Sequence, residues 1–216
     1  MRKILPYCLF LFVLCTTNVR VFGQSGQFGQ AIPKPNIGDS IVNPDGSIGV
    51  VFWINPEETM GYMVNIIQHE PAQWGLANAV PGLPQISNPI EFFLDTNGYS
   101  NTVALRNAFS IYSFAANLVD FENGWFLPSA GIMNYLYMAY PFIRTSIVKY
   151  GGDIIPDTVM GNEFQMWTST RYNFIGAVVM YNDGRLIPGQ ITAYRRFRSV
   201  KRFSILPETP LYYDTT

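Results

Sequence analysis

The sequence predicts an α+β fold: a loop-rich domain in which two helices pack on an antiparallel β-sheet. Three observations carry this reading. β-forming residues cluster near the start of the domain, apolar residues recur at helical spacing in its middle, and β-rich runs return towards its end. An order of strands, then helices, then strands segregates the helices, as in α+β rather than alternating α/β folds.

The elements follow in order. Residues 48–54 (Ile-Gly-Val-Val-Phe-Trp-Ile) are a compact run of β-formers, Asn55-Pro56-Glu57-Glu58 supplies a turn, and 61–67 reads as the returning strand of a hairpin. Residues 68–99 contain Pro71, Pro81, Pro84 and Pro89 and show no periodicity. A loop of that length is usually functional or disordered, and Trp74, Phe92 and Phe93 argue for a packed one. Asp95-Thr96-Asn97-Gly98 is turn chemistry leading into a helix capped by Ser100 or Asn101. Leu105, Ala108, Phe109, Tyr112, Ala115, Ala116 and Leu118 give that helix its apolar side as far as Asp120. Ser129 is the expected cap of a second helix that reaches Lys149, with Pro141 kinking or breaking it. Residues 164–170, 176–181 and 194–203 are the expected later strands, with Asn182-Asp183-Gly184 as a hairpin turn between the last two.

The N-terminus reads as an export signal. Met1-Arg2-Lys3 is basic, residues 4–15 are apolar, and Gly23 is a small residue suited to cleavage. The apolar run is too short to span a bilayer, and Leu14 before Cys15 does not suit a lipoprotein signal. The expected organisation is a signal peptide over 1–23, a flexible Gly/Gln/Pro leader over 24–47, a domain over 48–206 and a tail over 207–216. No transmembrane span is expected after cleavage. Both cysteines, Cys8 and Cys15, fall in the signal segment, so the mature chain is expected to have no disulfide, thiolate metal site or cysteine nucleophile.

Removing Arg2, Lys3 and Arg20 leaves 11 basic against 15 acidic residues, a net −4 that disfavours nucleic acid as a partner. The charge is unevenly placed: Arg185, Arg195, Arg196, Arg198, Lys201 and Arg202 crowd the last part of the chain. On one continuous strand Arg196, Arg198 and Arg202 would share a face, with Arg195 and Lys201 on the other. Pairing with the acidic first half of the domain is the expected use, and binding an anionic glycan or an acidic surface is the alternative.

Asn123-Gly124-Trp125-Phe126-Leu127-Pro128-Ser129 with Asn134-Tyr135-Leu136-Tyr137, then Gln165-Met166-Trp167-Thr168-Ser169-Thr170-Arg171-Tyr172, then Arg196-Phe197-Arg198 to Phe203 stand in order along the chain. They resemble the "W-Y-L-P-S…L…L-Y", "Y-W-S-S-T-E-Y" and "R-x-V-R" blocks of the Fibrobacter-type major paralogous domain. The resemblance covers nearly all of 48–203 and implies an exported protein with a C-type-lectin-like, sulfatase-modifying-factor-like fold. Arg171 stands where the family has an acidic residue, and Ile132 and Met133 where it usually has a glutamate. Neither the Glu-Pro-Asn nor the Gln-Pro-Asp loop of calcium-dependent lectins occurs, and the expected cysteine-free domain does not suit formylglycine-generating chemistry.

No catalytic set, metal site or cofactor is expected. His69 is the single histidine and lacks an evident nucleophile and orienting partner. Asp95-Thr96-Asn97-Gly98 does not continue as a calcium loop, because Arg106 stands where the last ligand should be. The expected function is a non-catalytic exported or cell-surface recognition module that binds a glycan or a cell-envelope protein. The alternative is a structural subunit of an envelope or fimbria-like assembly. Lectin-like folds place ligands on variable loops, which makes Trp74, as an exposed aromatic platform, with Arg171, Tyr172, Asn173 and Asp183 the candidate ligand-binding residues. A binding module should be a monodisperse monomer, whereas an assembly subunit should show a large exposed apolar patch or an open strand edge.

Overall fold

A computed structural model describes residues 20–21, 31–32, 34–155 and 165–205. Cys8, Cys15, the expected cleavage position, most of the signal segment and the tail 207–216 lie outside the described residues.

The chain is a mixed α+β structure built on two sheets and two main helices. The first sheet orders β1 (Arg20–Val21), β3 (Ser40–Val42), β4 (Ile48–Ile54), β5 (Met60–Asn65), β12 (Val200–Ile205) and β2 (Ala31–Ile32), with β7 (Trp125–Phe126) also paired to β12. The second orders β10 (Leu186–Gln190), β9 (Gly176–Tyr181), β8 (Gln165–Arg171), β11 (Arg195–Phe197) and β6 (His69–Ala72). The short helices α1 (Pro89–Phe92) and α3 (Ala115–Leu118) accompany the main ones, α2 (Gly98–Ala108) and α4 (Ala130–Lys149). The sheets are mixed rather than purely antiparallel: β11 runs parallel to β8, and β12 parallel to β2.

Helix α4 lies at the centre. Ile132, Met133, Leu136, Ile143 and Ile147 pack between Val50, Phe52 and Val64 of the first sheet and Met166, Val178 and Met180 of the second. The opposite face of the second sheet buries Trp167, Val179 and Phe197 against Trp74, Leu105 and Phe109. A smaller cluster, with Met63, Trp125 and Phe203, covers the other face of the first sheet.

Local chemistry explains the well-read elements. The Asn55 carboxamide accepts from the Thr59 and Met60 amides, Glu58 takes the left-handed conformation, and the β4–β5 hairpin closes. Helix α4 runs unbroken past Pro141, which is exposed, so water can replace the N–H that proline lacks.

Tertiary contacts overrode four expectations. The first helix stops at Ala108 instead of reaching Asp120, because Asn117 turns back to donate to the carbonyls of Phe109 and Tyr112 while Phe109 and Phe114 pack edge to face. The strand expected over 194–203 divides at Arg198 and Ser199, and its halves β11 and β12 join different sheets. The Asn182-Asp183-Gly184 turn therefore pairs β9 with β10, not with a 194–203 strand. The expected leader contributes β3, which pairs with β4, so the folded unit begins before Ile48.

Gly131 in the first turn of α4 fits against backbone. A Cβ there would lie 2.6 Å from the Asp95 carbonyl oxygen and 2.7 Å from that of Phe93. Gly131→Ala is expected to lower stability by about 2 kcal/mol in urea unfolding, because neither backbone can retreat without moving the helix entry.

Candidate functional site

Arg171 organises one end of the second sheet. It ends β8 with its side chain buried, and its guanidinium donates from Nη2 to the Asn78 carbonyl (2.7 Å) and from Nε to the Asn173 carbonyl (3.0 Å). The Phe174 ring covers it at 5.4 Å, and burial pulls the arginine pKa down. The Arg171 backbone carbonyl accepts from the Ile86 amide (3.0 Å), and Gln85 bridges to the same residue. Phe92 of α1 meets Tyr172 edge to face at 6.1 Å. A cation sharing carbonyls from two segments thus clamps the long loop onto the β8–β9 connection.

The Phe92–Tyr172 contact brings together two stretches with unburied apolar side chains. Ile90 is 74% exposed and Leu94 is 74% exposed, with Phe93 between them, on α1 and just beyond it. Phe174 and Ile175 project from the β8–β9 connection. Exposed large apolar residues on adjoining segments mark an interaction surface more readily than single ones scattered over a protein. The two edges of the second sheet are poor acceptors for another strand. The outer strands β10 and β6 contain Pro188 and Pro71, each lacking a ladder donor.

The structure unites only part of the sequence-predicted set. Arg171, Tyr172 and Asn173 sit together beside the long loop. Asp183 is at the opposite end of β9, about 15 Å away at strand spacing. There it accepts from the backbone and side chain of Arg185, which hold its carboxyl below the usual range. Trp74 is not an exposed platform. It is 1% exposed and donates its indole N–H to the Thr168 carbonyl (2.8 Å), locking the start of the long loop to β8. The rim residues went unrecognised because apolar residues in a proline-rich loop read as packing. Phe174-Ile175 beside the turn-forming Asn173 is the signal that could have found them.

The basic run from Arg195 to Arg202 makes no close ion pair with the acidic first half of the domain, although Asp45 and Asp120 act on the Lys201 charge. Among the described residues, Arg195, Arg196, Arg198, Lys201 and Arg202 form no ion pair. Arg195 stacks over Trp167 (4.5 Å) and donates to Gln165 and the Gln190 carbonyl. Lys201 donates to Asn43. Arg198 is buried among carbonyls, which defeats the expected sharing of a face with Arg196 and Arg202. His69 stacks flat on Phe197 (4.5 Å) with its Nε2 3.3 Å from the Ser199 hydroxyl, and burial first, then the Arg198 charge, lowers its pKa. Among the described residues no group of three or more His, Cys, Asp or Glu side chains could hold a metal ion, and no helix is long and apolar enough to cross a membrane.

No family model and no curated protein matches the chain. Among solved structures, it is similar to a fimbrial protein from Bacteroides ovatus ATCC 8483, at 15% identity and a TM-score of 0.46. The similarity covers 77% of this chain and 48% of that one, so the chain spans about half the length of the structure it matches.

Proposed function

We propose that the chain is an exported subunit of a surface assembly, and that it associates with further copies of itself through the rim formed by Ile90, Phe93, Leu94, Phe174 and Ile175. The observation that carries this reading is the rim itself: large apolar side chains left in water on two segments that the Phe92–Tyr172 contact holds together beside the Arg171 clamp. Charge permits such like-with-like contact, since the chain expected after cleavage carries a net charge of only −4 and long-range self-repulsion is modest. Export is supported by the basic start, apolar run and small residue at the expected cut. A lectin-like account of the fold belongs to the same proposal. What supports it is the order of hairpin, long loop, two main helices and later strands, with β12 returning beside β5.

The test is sedimentation velocity over a concentration series, on protein recovered after export through its own N-terminal segment. Reversible self-association is expected, weakened roughly tenfold or more by Leu94→Asp or Phe174→Asp, because each puts a charge in the apolar contact. A monodisperse monomer at every concentration would remove the proposal.

A further inference from the structure

The first sheet presents a second surface, built from residues other than those of the rim. In an unbroken β4–β5 ladder, Phe52 would oppose Tyr62, because Val51 opposes Met63. Instead Trp53 opposes Tyr62, and Phe52 is the extra residue of a bulge. Bulges re-aim side chains, and here Phe52 and Trp53 both pack on the α4 side, while Val51 and Ile54 serve the opposite cluster. Tyr62 is in turn opposed by Arg202 on β12. Trp53, Tyr62 and Arg202 therefore form one cross-strand row over three adjacent strands.

Aromatic rings close the row on two sides. Tyr135 of α4 stacks on Trp53 at 5.2 Å with planes 10° apart, and Trp53 meets Tyr62 at 5.3 Å. Tyr62 leads through Phe126 to Tyr99 at the start of α2, which stacks on Phe121 at 5.1 Å. The Arg202 charge reaches the phenols of both Tyr62 and Tyr99.

The hydrogen-bonding groups of this row are unspent. Trp74, Trp125 and Trp167 each donate the indole N–H to a protein acceptor. Trp53, the remaining tryptophan, has no acceptor among the described residues, yet its nitrogen is not sealed from solvent. The hydroxyls of Tyr62 and Tyr135 likewise have no protein partner among the described residues. Arg202 is exposed, with neither a hydrogen bond nor an ion pair among them. Glu122, whose charge acts on Tyr99, meets Arg106 at 3.7 Å.

Half-buried Trp53 and Tyr135 over a buried Tyr62, with the unpaired donors of Trp53, Tyr62, Tyr135 and Arg202, suit a ligand with one apolar face and many oxygens. A pyranose ring has both, since its axial C–H bonds form the apolar face. The unpaired guanidinium selects for an anion and offers a fork that matches a carboxylate. We infer that the Trp53–Tyr62–Arg202 row, flanked by Tyr135 and Tyr99, binds a carboxylate-bearing saccharide. The sugar ring lies on the part of the Trp53 and Tyr135 rings that their mutual stacking leaves open to solvent, and its carboxylate pairs with Arg202. This binding does not depend on self-association through the rim, which uses other residues.

The test titrates the exported protein with trigalacturonate and, separately, with a neutral galactotriose of the same linkage, followed by tryptophan fluorescence and calorimetry. Saturable binding of trigalacturonate is expected, with the neutral sugar roughly tenfold or more weaker. Arg202→Ala should weaken the acidic sugar to the neutral level, Arg202→Lys should restore part of the difference, and Tyr135→Phe should weaken both sugars. Arg202 is exposed, so its variants should unfold at the wild-type urea midpoint. Leu94→Asp, which addresses the rim, should bind the sugar unchanged. No saturation with trigalacturonate up to about 10 mM, equal binding of both sugars, or unchanged binding by Arg202→Ala would each overturn the assignment.

Discussion

Asp95→Ala is expected to lower stability by about 4 kcal/mol, because it strips acceptors from several buried donors at once. The carboxylate is buried where the long loop enters α2. Its Oδ2 accepts from Asn101 Nδ2 (3.0 Å) and from the Thr170 hydroxyl (2.5 Å), and its Oδ1 accepts from the Asn97 amide (3.0 Å). Thr170 accepts from the Ala130 amide (2.8 Å), so the first turn of α4 reaches the carboxylate through one hydroxyl. The Asp95 backbone carbonyl takes the Ser129 hydroxyl and the Gly131 amide. One residue thereby joins α2, α4 and β8. Alanine keeps the backbone contacts and leaves the Asn101 and Thr170 donors buried without an acceptor. Asp95→Asn should cost less than alanine, since its oxygen can still serve one side while its amide faces donors on the other. Urea midpoints of the two variants check this order. Equal stability of wild type and Asp95→Ala would show that water replaces the carboxylate.

Sequence reading succeeded where short-range chemistry decides and failed where partners are distant. β4, β5, β8 and β9 were legible because β-formers adjoin turn residues such as Asn55 and Asp183, whose side chains hold their own turns. The place where α2 ends was not legible. Helical spacing continues to Leu118, and the break depends on Asn117 reaching back eight residues to Phe109. Trp74 looked like a loop aromatic because its acceptor, the Thr168 carbonyl, is 94 residues away. Trp53 looked like one more strand residue, since nothing local reveals a bulge that turns it beside Tyr62 and Arg202. The candidate surfaces were thus hidden for one physical reason: each depends on register between segments far apart in the chain.

Arg198 is the extreme case of such a residue, and Arg198→Met is expected to cost about 3 kcal/mol in urea unfolding. The chain passes from the second sheet to the first at Arg198 and Ser199. The guanidinium there donates to the carbonyls of Asn65 (3.2 Å) and Ile66 (3.3 Å) and to that of Asp153 beyond α4. Methionine matches the length of the stem and supplies no donor. Lysine can reach fewer carbonyls from one point charge, so Arg198→Lys should fall between methionine and wild type. The pH dependence separates this charge from its neighbours. Burial pushes Arg198 down to about 10, still well above neutrality, so both folded and unfolded chains hold its proton and it adds no slope below about pH 9. His69 does titrate there. Its folded pKa is depressed below the usual 6.5 by burial and then by the Arg198 charge. The unfolded chain therefore binds the proton first, and stability is lost as pH falls through 6.5 towards the folded value. Removing Arg198 relieves one of the two causes, so the acid loss of stability should be shallower in Arg198→Met than in wild type. Parallel pH profiles for the two proteins would mean that the buried guanidinium does not act on the imidazole, leaving its carbonyl contacts as its whole contribution.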